Sequence, residues 1–251
     1  MTEKKELALY GGDVAITFYP NSHQYKMNGE NLISVSKALG VIDKPALAQW
    51  RVNKGCDQLL YKLSDGVEIT AEDIEEARYA HAKFSEEAAN LGTEIHAWCE
   101  NFIKSKLLKE KAPQLPTEER ILNGVLAFLK WNKENSVEYL WSERLVYSKE
   151  HQYVGTADLG IKIRGECYLG DFKTGNGIWP EAYLQTAAYL YALQEEDGFG
   201  AYKGRYIIRL GKDTGDFESV AVPTDFYEDL QAFLSALNIR KWQKKIDKIK
   251  L

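Results

Sequence analysis

At 251 residues, with 45% hydrophobic and 12% aromatic side chains, the chain can bury a sizeable core and does not read as disordered. Three scattered cysteines, Cys56, Cys99 and Cys167, with no C-x-x-C pair, argue against a disulfide framework or a zinc site, and no run approaches the roughly 18 apolar residues of a membrane span. The net charge of −5 speaks against a nucleic-acid partner at face value, but Arg240 to Leu251 holds six basic side chains and one acidic, leaving about −10 for the rest. That basic end reads either as the solvated end of a helix or as a phosphate-contacting tail. The opening MTEKKELALYGG lacks the apolar core of a signal peptide. Together these features predict a soluble, cytoplasmic protein.

Residues 14–36 alternate apolar and polar around Asn21-Ser22 and Asn28-Gly29 and predict short hairpin strands, with His23 solvated at the first turn. Lys37 to Lys54 reads as helical with a break at Lys44-Pro45, and Trp50 as core. From Thr70, a candidate N-cap, a charged helix is predicted. Ile74, Ala77, His81, Phe84, Ala88 and Leu91 follow a 3-4-3-4 spacing that marks its buried face, with His81 a satisfied core histidine. Gly92-Thr93-Glu94-Ile95-His96 either continues this helix or opens a new one at Thr93. In both cases His96 and Glu100 share a face.

After a loop with Pro113 and Pro116, Thr117 is expected to cap a helix to about Asn135 that turns Ile121, Leu122, Val125, Leu126 and Leu129 inward. Three consecutive strands follow. The first, Val137 to Tyr147, carries Glu143; the second carries Gly155-Thr156-Ala157-Asp158; the third carries Asp171-Phe172-Lys173. A helix with Pro180 in its first turn holds Gln185 and Tyr189 four apart on one face. Two further strands, Tyr202–Leu210 and Phe217–Val222, lead to a last helix with a capping-box-like start at Asp225 and Glu228. The whole predicts one α/β domain over 1–251, with an extension over about 1–70 and a catalytic core over about 90–222.

Period two puts Asp171 and Lys173 on one face of their strand. If Arg164-Gly165 is the hairpin turn, Asp158 lies opposite Asp171. If the turn is Gly165-Glu166, Asp158 lies opposite Lys173. Two carboxylates at cross-strand distance repel one another unless something compensates, and hard oxygen ligands suit magnesium or manganese.

Gly155-x-x-Asp158, Asp171-x-Lys173 and Gln185-x-x-x-Tyr189, in this order, resemble the motifs of the PD-(D/E)XK nuclease superfamily, the last element being specific to its RecB-like exonuclease branch. Gly92 to His96 is similar to that branch's helical G-x-x-x-H element. Glu143 stands where many members carry a glutamate, and His23, Tyr25, Gly29 and Ser34-Val35-Ser36 resemble phage-encoded members. Ala157 replaces the proline of the superfamily's name.

The resemblance implies a restriction-endonuclease-like core, a mixed β-sheet flanked by α-helices. It also implies a Mg²⁺- or Mn²⁺-dependent deoxyribonuclease that acts on single-stranded or free-ended DNA in replication, recombination or repair, in a bacterial or phage-infected cell, with a recombination or replication protein as a candidate partner. His96, Asp158, Asp171 and the Phe172 carbonyl would ligate the metal. Lys173 would orient or deprotonate the water or stabilise developing charge. Nearby cations would lower its pKa and two carboxylates would raise it. Gln185 and Tyr189 would contact the metal shell or a phosphate. Glu100 and Glu143 would stand behind the ligands or bind a second metal, and Trp179 and Tyr183 would stack on bases or pack. Iron–sulfur relatives use four cysteines flanking the core, which this chain lacks, so no cluster is expected. A structure-specific or restriction-type endonuclease and a non-cleaving DNA-binding module are the competing readings.

Overall fold

The computed structural model describes residues 4–223 and 226–249. Four antiparallel strands open it, β1 (Lys5–Leu9), β2 (Val14–Tyr19), β3 (Gln24–Met27) and β4 (Glu30–Asn31), paired in sequence order. Val14, Ile16 and Tyr25 turn inward and pack with Leu145, Tyr147 and Val154, as period-two alternation requires. The sequence pattern does not predict β1, because only Leu7 and Leu9 turn toward protein in it. Two-residue β5 (Ile33–Ser34) then pairs parallel with Tyr153-Val154. Ser34 caps α1 (Val35–Leu39) by accepting the Lys37 N–H at 3.3 Å.

The chain divides into two compact units, Met1–Val41 with Ile95–Leu251, and Ile42–Glu94. The smaller unit holds α2 (Pro45–Ser64), which starts at the expected break but runs on past Lys54 to Ser64, and the first part of α3 (Ala71–Leu108). Thr70 and Asp73 cap α3 reciprocally. The Asp73 N–H reaches the Thr70 hydroxyl at 3.3 Å, and the Thr70 N–H reaches the Asp73 carboxylate at 2.8 Å. An ion pair joins Lys62 to Asp73, and with the Thr70 contacts it holds the carboxyl well below the usual range. α3 runs unbroken, so no new helix starts at Thr93. The expected stripe is only partly covered. Ala77 and Leu91 are buried, whereas Ile74 is 50% and Phe84 49% exposed and Ala88 also faces water. Trp50 is half-buried rather than core, and α2 buries no residue fully.

In the larger unit α4 (Glu119–Asn135) is capped by Glu118, whose carboxylate accepts the Ile121 N–H at 2.6 Å, in place of Thr117. Its inward stripe is Ile121, Val125, Phe128 and Trp131, and Leu126 faces out. Strands β6 (Glu138–Ser148), β7 (Tyr153–Ile163) and β8 (Glu166–Lys173) follow. Crossover helix α5 (Pro180–Asp197) leads to β9 (Gly204–Leu210), β10 (Phe217–Pro223) and α6 (Tyr227–Ile249). Asp225, the expected start of the last cap, lies outside the described residues. The sheet order is β10-β9-β8-β7-β5, with β6 also on β7. The β8–β9 and β5–β7 pairs are parallel and the others antiparallel.

One face of the sheet meets α4 through Phe172 against Phe128 and Tyr206 against Trp131. The other meets α5, where buried Arg205 of β9 donates to the Thr186 hydroxyl at 2.9 Å. The architecture is therefore a mixed α/β fold with a central mixed sheet flanked by helices, as the sequence predicts. Among the described residues no helix is long and apolar enough to cross a membrane.

Candidate active site

The β7–β8 turn decides the register left open by the sequence. Ile163 pairs with Glu166, and Arg164 and Gly165 have φ of 51° and 86°. Both central residues are thus left-handed, as a type I′ turn requires. The ladder runs to Leu159 opposite Gly170, so Asp158 falls next in line opposite Asp171. The Phe172 N–H donates to Asp158 Oδ2 at 2.7 Å, fixing that carboxylate against β8. His96 of α3 brings Nδ1 within 3.8 Å of the same oxygen.

Asp171 is 1% exposed. Lys173 Nζ lies 2.5 Å from its Oδ2, yet neither Asp171 oxygen has a partner of hydrogen-bond geometry. The lysine instead donates to Gln185 Oε1 at 3.0 Å, and Gln185 Nε2 donates to the Tyr189 hydroxyl at 3.0 Å. Gln185 and Tyr189 therefore hold the lysine through one chain of hydrogen bonds. A Cβ on Gly155 would stand 2.4 Å from Tyr189 Cε1, so the glycine is what lets the tyrosine ring lie against β7.

Burial, and then Asp158, push the Asp171 carboxyl above its usual range, against the pull of Lys173 and His96. For Lys173 burial acts downward, but Asp171 and Asp158 outweigh it and the ammonium is stabilised. Burial also pushes Tyr189 far up, so its phenol stays neutral.

Glu143 interrupts the β6–β7 ladder between Ser142–Leu159 and Arg144–Ala157, which puts it across from Asp158. Its φ of 49° is the left-handed region, a strained conformation for a non-glycine residue inside a strand. Its carboxyl is pushed up to about 8 by burial and by Asp158, Glu100 and Asp171, with Lys104 opposing. Water reaches this exposed residue and tempers the burial contribution, which leaves the neighbouring carboxylates as the firmer cause.

The structure thus gathers His96, Asp158, Asp171, Lys173, Gln185 and Tyr189, with Glu143 and Glu100 in electrostatic range. Glu100 is itself ion-paired to Lys104. Phe172 contributes its N–H, and its ring stands edge-on to His96 at 5.9 Å. Trp179, 58% exposed, precedes the first turn of α5, and Tyr183 is half-buried in that helix, two residues before Gln185.

Two residues given no role from sequence also border the site. Tyr25, 2% exposed, places its hydroxyl 3.0 Å from that of Thr156 and lies close enough to Glu143 and Tyr189 to interact with both. Its inward position in the β3 alternation is the available signal. Buried Lys212 donates to the Thr174 carbonyl at 2.7 Å and so anchors the residue after Lys173. Nothing local in the sequence marks that contact.

Among the described residues no three His, Cys, Asp or Glu side chains stand close enough, as placed, to hold a metal ion. The donor set nevertheless fits a hard divalent cation. Asp171 presents two buried oxygens without hydrogen bonds, Asp158 keeps one oxygen free of the Phe172 bond, and an imidazole stands beside them.

No family model matches the chain, and no curated protein matches it. Among solved structures, the crystal structure of SSO0001 superposes with a TM-score of 0.28 at 15% identity over 49% of this chain, which spans 61% of that protein's length. The alkaline exonuclease LHK-Exo from Laribacter hongkongensis superposes with a TM-score of 0.33 at 11% identity, over 76% of this chain and 92% of its own. Overlaps this slight decide nothing about function, which rests on the chain's own geometry.

Proposed function

We propose that this protein is a metal-dependent deoxyribonuclease that hydrolyses phosphodiester bonds, working from free ends of single-stranded DNA in replication, recombination or repair. The observation that carries the reading is Asp171. It is a fully buried carboxylate whose charge is met by an ion pair to a lysine that Gln185 and Tyr189 hold in place. Burial and the Asp158 charge raise the Asp171 pKa, and groups perturbed in this way cluster at functional sites.

Asp158, Asp171, His96 and the Phe172 carbonyl would hold Mg²⁺ or Mn²⁺. Bound there, the ion would neutralise phosphate charge and lower the pKa of an attacking water. The chain's own residues do the rest. The Phe172 N–H keeps Asp158 oriented. Gln185 occupies one Lys173 donor and Asp171 lies against another, which leaves a third for a phosphate oxygen. Asp171 and Asp158 stabilise the Lys173 ammonium, and a bound cation would act against them; Lys173 would orient or deprotonate the water or stabilise the developing charge. Glu143 and Glu100 stand ready to approach a second ion, and exposed Trp179, with Tyr183, would stack on a base.

With Mg²⁺ or Mn²⁺ the purified chain should degrade end-labelled linear DNA and spare circular single strands. Cleavage in EDTA, or in Asp171→Ala, would overturn the reading. Nicking of closed plasmid would favour an endonuclease, and tight binding with no cleavage under any divalent metal would favour a binding module.

A further inference from the structure

A groove of about 430 Å³ lies between the β3–β4 turn, the β6–β7 turn and α6, lined by Asn28, Glu30, Asn31, Gln152, Lys241 and Lys244 among others. Lys244 donates to the Asn31 carbonyl at 2.6 Å and Lys241 to the His151 carbonyl at 2.8 Å. Each ammonium carries three donors, so both keep donors for a ligand. The cations continue outward along α6 through Lys245 and Lys248, with Arg240 beside them and Asp247 as the acid among them. On the same helix Trp242 is 61% exposed. A positive island on a chain of net charge −5 attracts polyanions to one place while the remaining surface repels them. A row of lysines suits a string of phosphates better than a single anion, and a basic track beside an open aromatic is how single strands are held without sequence preference.

We propose that this groove and the basic face of α6 form a second nucleic-acid site, binding the phosphate backbone of single-stranded DNA away from the carboxylates. The proposal rests on the nuclease reading for its purpose, though not for its test. Gln152 to Asp158 is six residues of chain, about 20 Å at the rise of a strand. Roughly six stacked nucleotides span that distance. The site would therefore serve long substrates and be out of reach for the shortest.

The test is anisotropy of a labelled 30-nucleotide oligothymidylate with the full-length chain in EDTA, across a salt series. In Lys241→Ala/Lys244→Ala the slope of log affinity against log salt should become shallower by about 1.4, at about 0.7 for each single-strand phosphate no longer neutralised. Trp242→Ala should weaken binding with the slope unchanged, and Glu30→Gln, which removes the groove's negative charge, should tighten it. With Mg²⁺, the lysine variant should raise KM on the 30-mer, leave kcat unchanged, and leave a tetranucleotide unaffected.

An unchanged slope in a lysine variant that keeps the wild-type Tm overturns the proposal. Should that variant not fold, failure of the exposed Glu30→Gln to tighten binding overturns it instead. Lost binding to phosphatidylserine vesicles with DNA affinity intact would assign the island to a membrane surface and overturn it too. Should the nuclease reading fail, no metal restores cleavage, while binding in EDTA still responds to the lysines.

Discussion

Strand β8 and the first turns of α3 present opposite outcomes of similar sequence signals. Both show apolar residues at the period of their element, and both mix charge into the pattern. In β8, Leu169, Asp171 and Phe172 are nearly inaccessible, charge included. In α3, Ile74 and Phe84 stay half exposed. The strand lies between β7 and β9 and has helices over both faces, so its stretch from Leu169 to Phe172 is covered. Within its own unit the helix has α2 alone, and two helices bury only the seam between them. Periodicity reports which side of an element can be buried. Whether anything arrives to bury it is a tertiary matter, and the same crowding that completes the core is what takes the Asp171 carboxylate out of water.

The sharpest test of the β8 side is Asp171→Ala. Cleavage should fall by roughly 10³-fold or more, while Tm changes little, because relief of a buried carboxylate crowded by Asp158 offsets loss of its ion pair with Lys173. A large drop in Tm would mean the carboxylate is structural and would dissolve the contrast.

Gly155→Ala comes next. Its Cβ would collide with the Tyr189 ring, and overpacking of this kind costs about 1–3 kcal/mol, readable by urea unfolding, with cleavage reduced as the tyrosine shifts.

Tyr189→Phe removes only the acceptor for Gln185. It should lower kcat about tenfold, of the order of one lost hydrogen bond, and leave KM for DNA unchanged.

A pH test follows from Glu143. Its carboxyl is raised to about 8 in the folded state, above the usual value of 4.5. The native protein therefore binds the proton more tightly than the unfolded chain. The Glu143 contribution to stability is fullest below about 4.5 and is lost as pH rises toward 8. In EDTA, Glu143→Gln should flatten that decline in Tm, and its gain over wild type should be larger at pH 8 than at pH 5. A bound divalent cation should reverse the penalty, since it favours the ionised carboxylate.

The smallest effect is expected on the helical side. Ile74→Ser should change stability by no more than about 0.5 kcal/mol, as exposed substitutions do. A cost of several times that would show the stripe to be covered in solution and would break the comparison.

Much of this molecule is legible in its residues alone. Alternation places the strands of the hairpins, Pro45 and Pro180 mark helix starts, and Thr70 announces its cap. Asp171 and Lys173 have to share a face because a strand repeats every two residues, and Gln185 and Tyr189 have to share one because a helix nearly repeats every four. These are local rules, and local rules survive any tertiary context. What tertiary structure alone decided is of another kind. Among these are the turn at Arg164-Gly165 that sets Asp158 opposite Asp171, the approach of His96 from a helix some sixty residues upstream, and the reach of Tyr25 and Lys212 to the site's margins. So is the burial that leaves Asp171 without a hydrogen bond. Each depends on which distant surfaces meet, and the free energy of that meeting is shared over the whole core rather than written in any one segment.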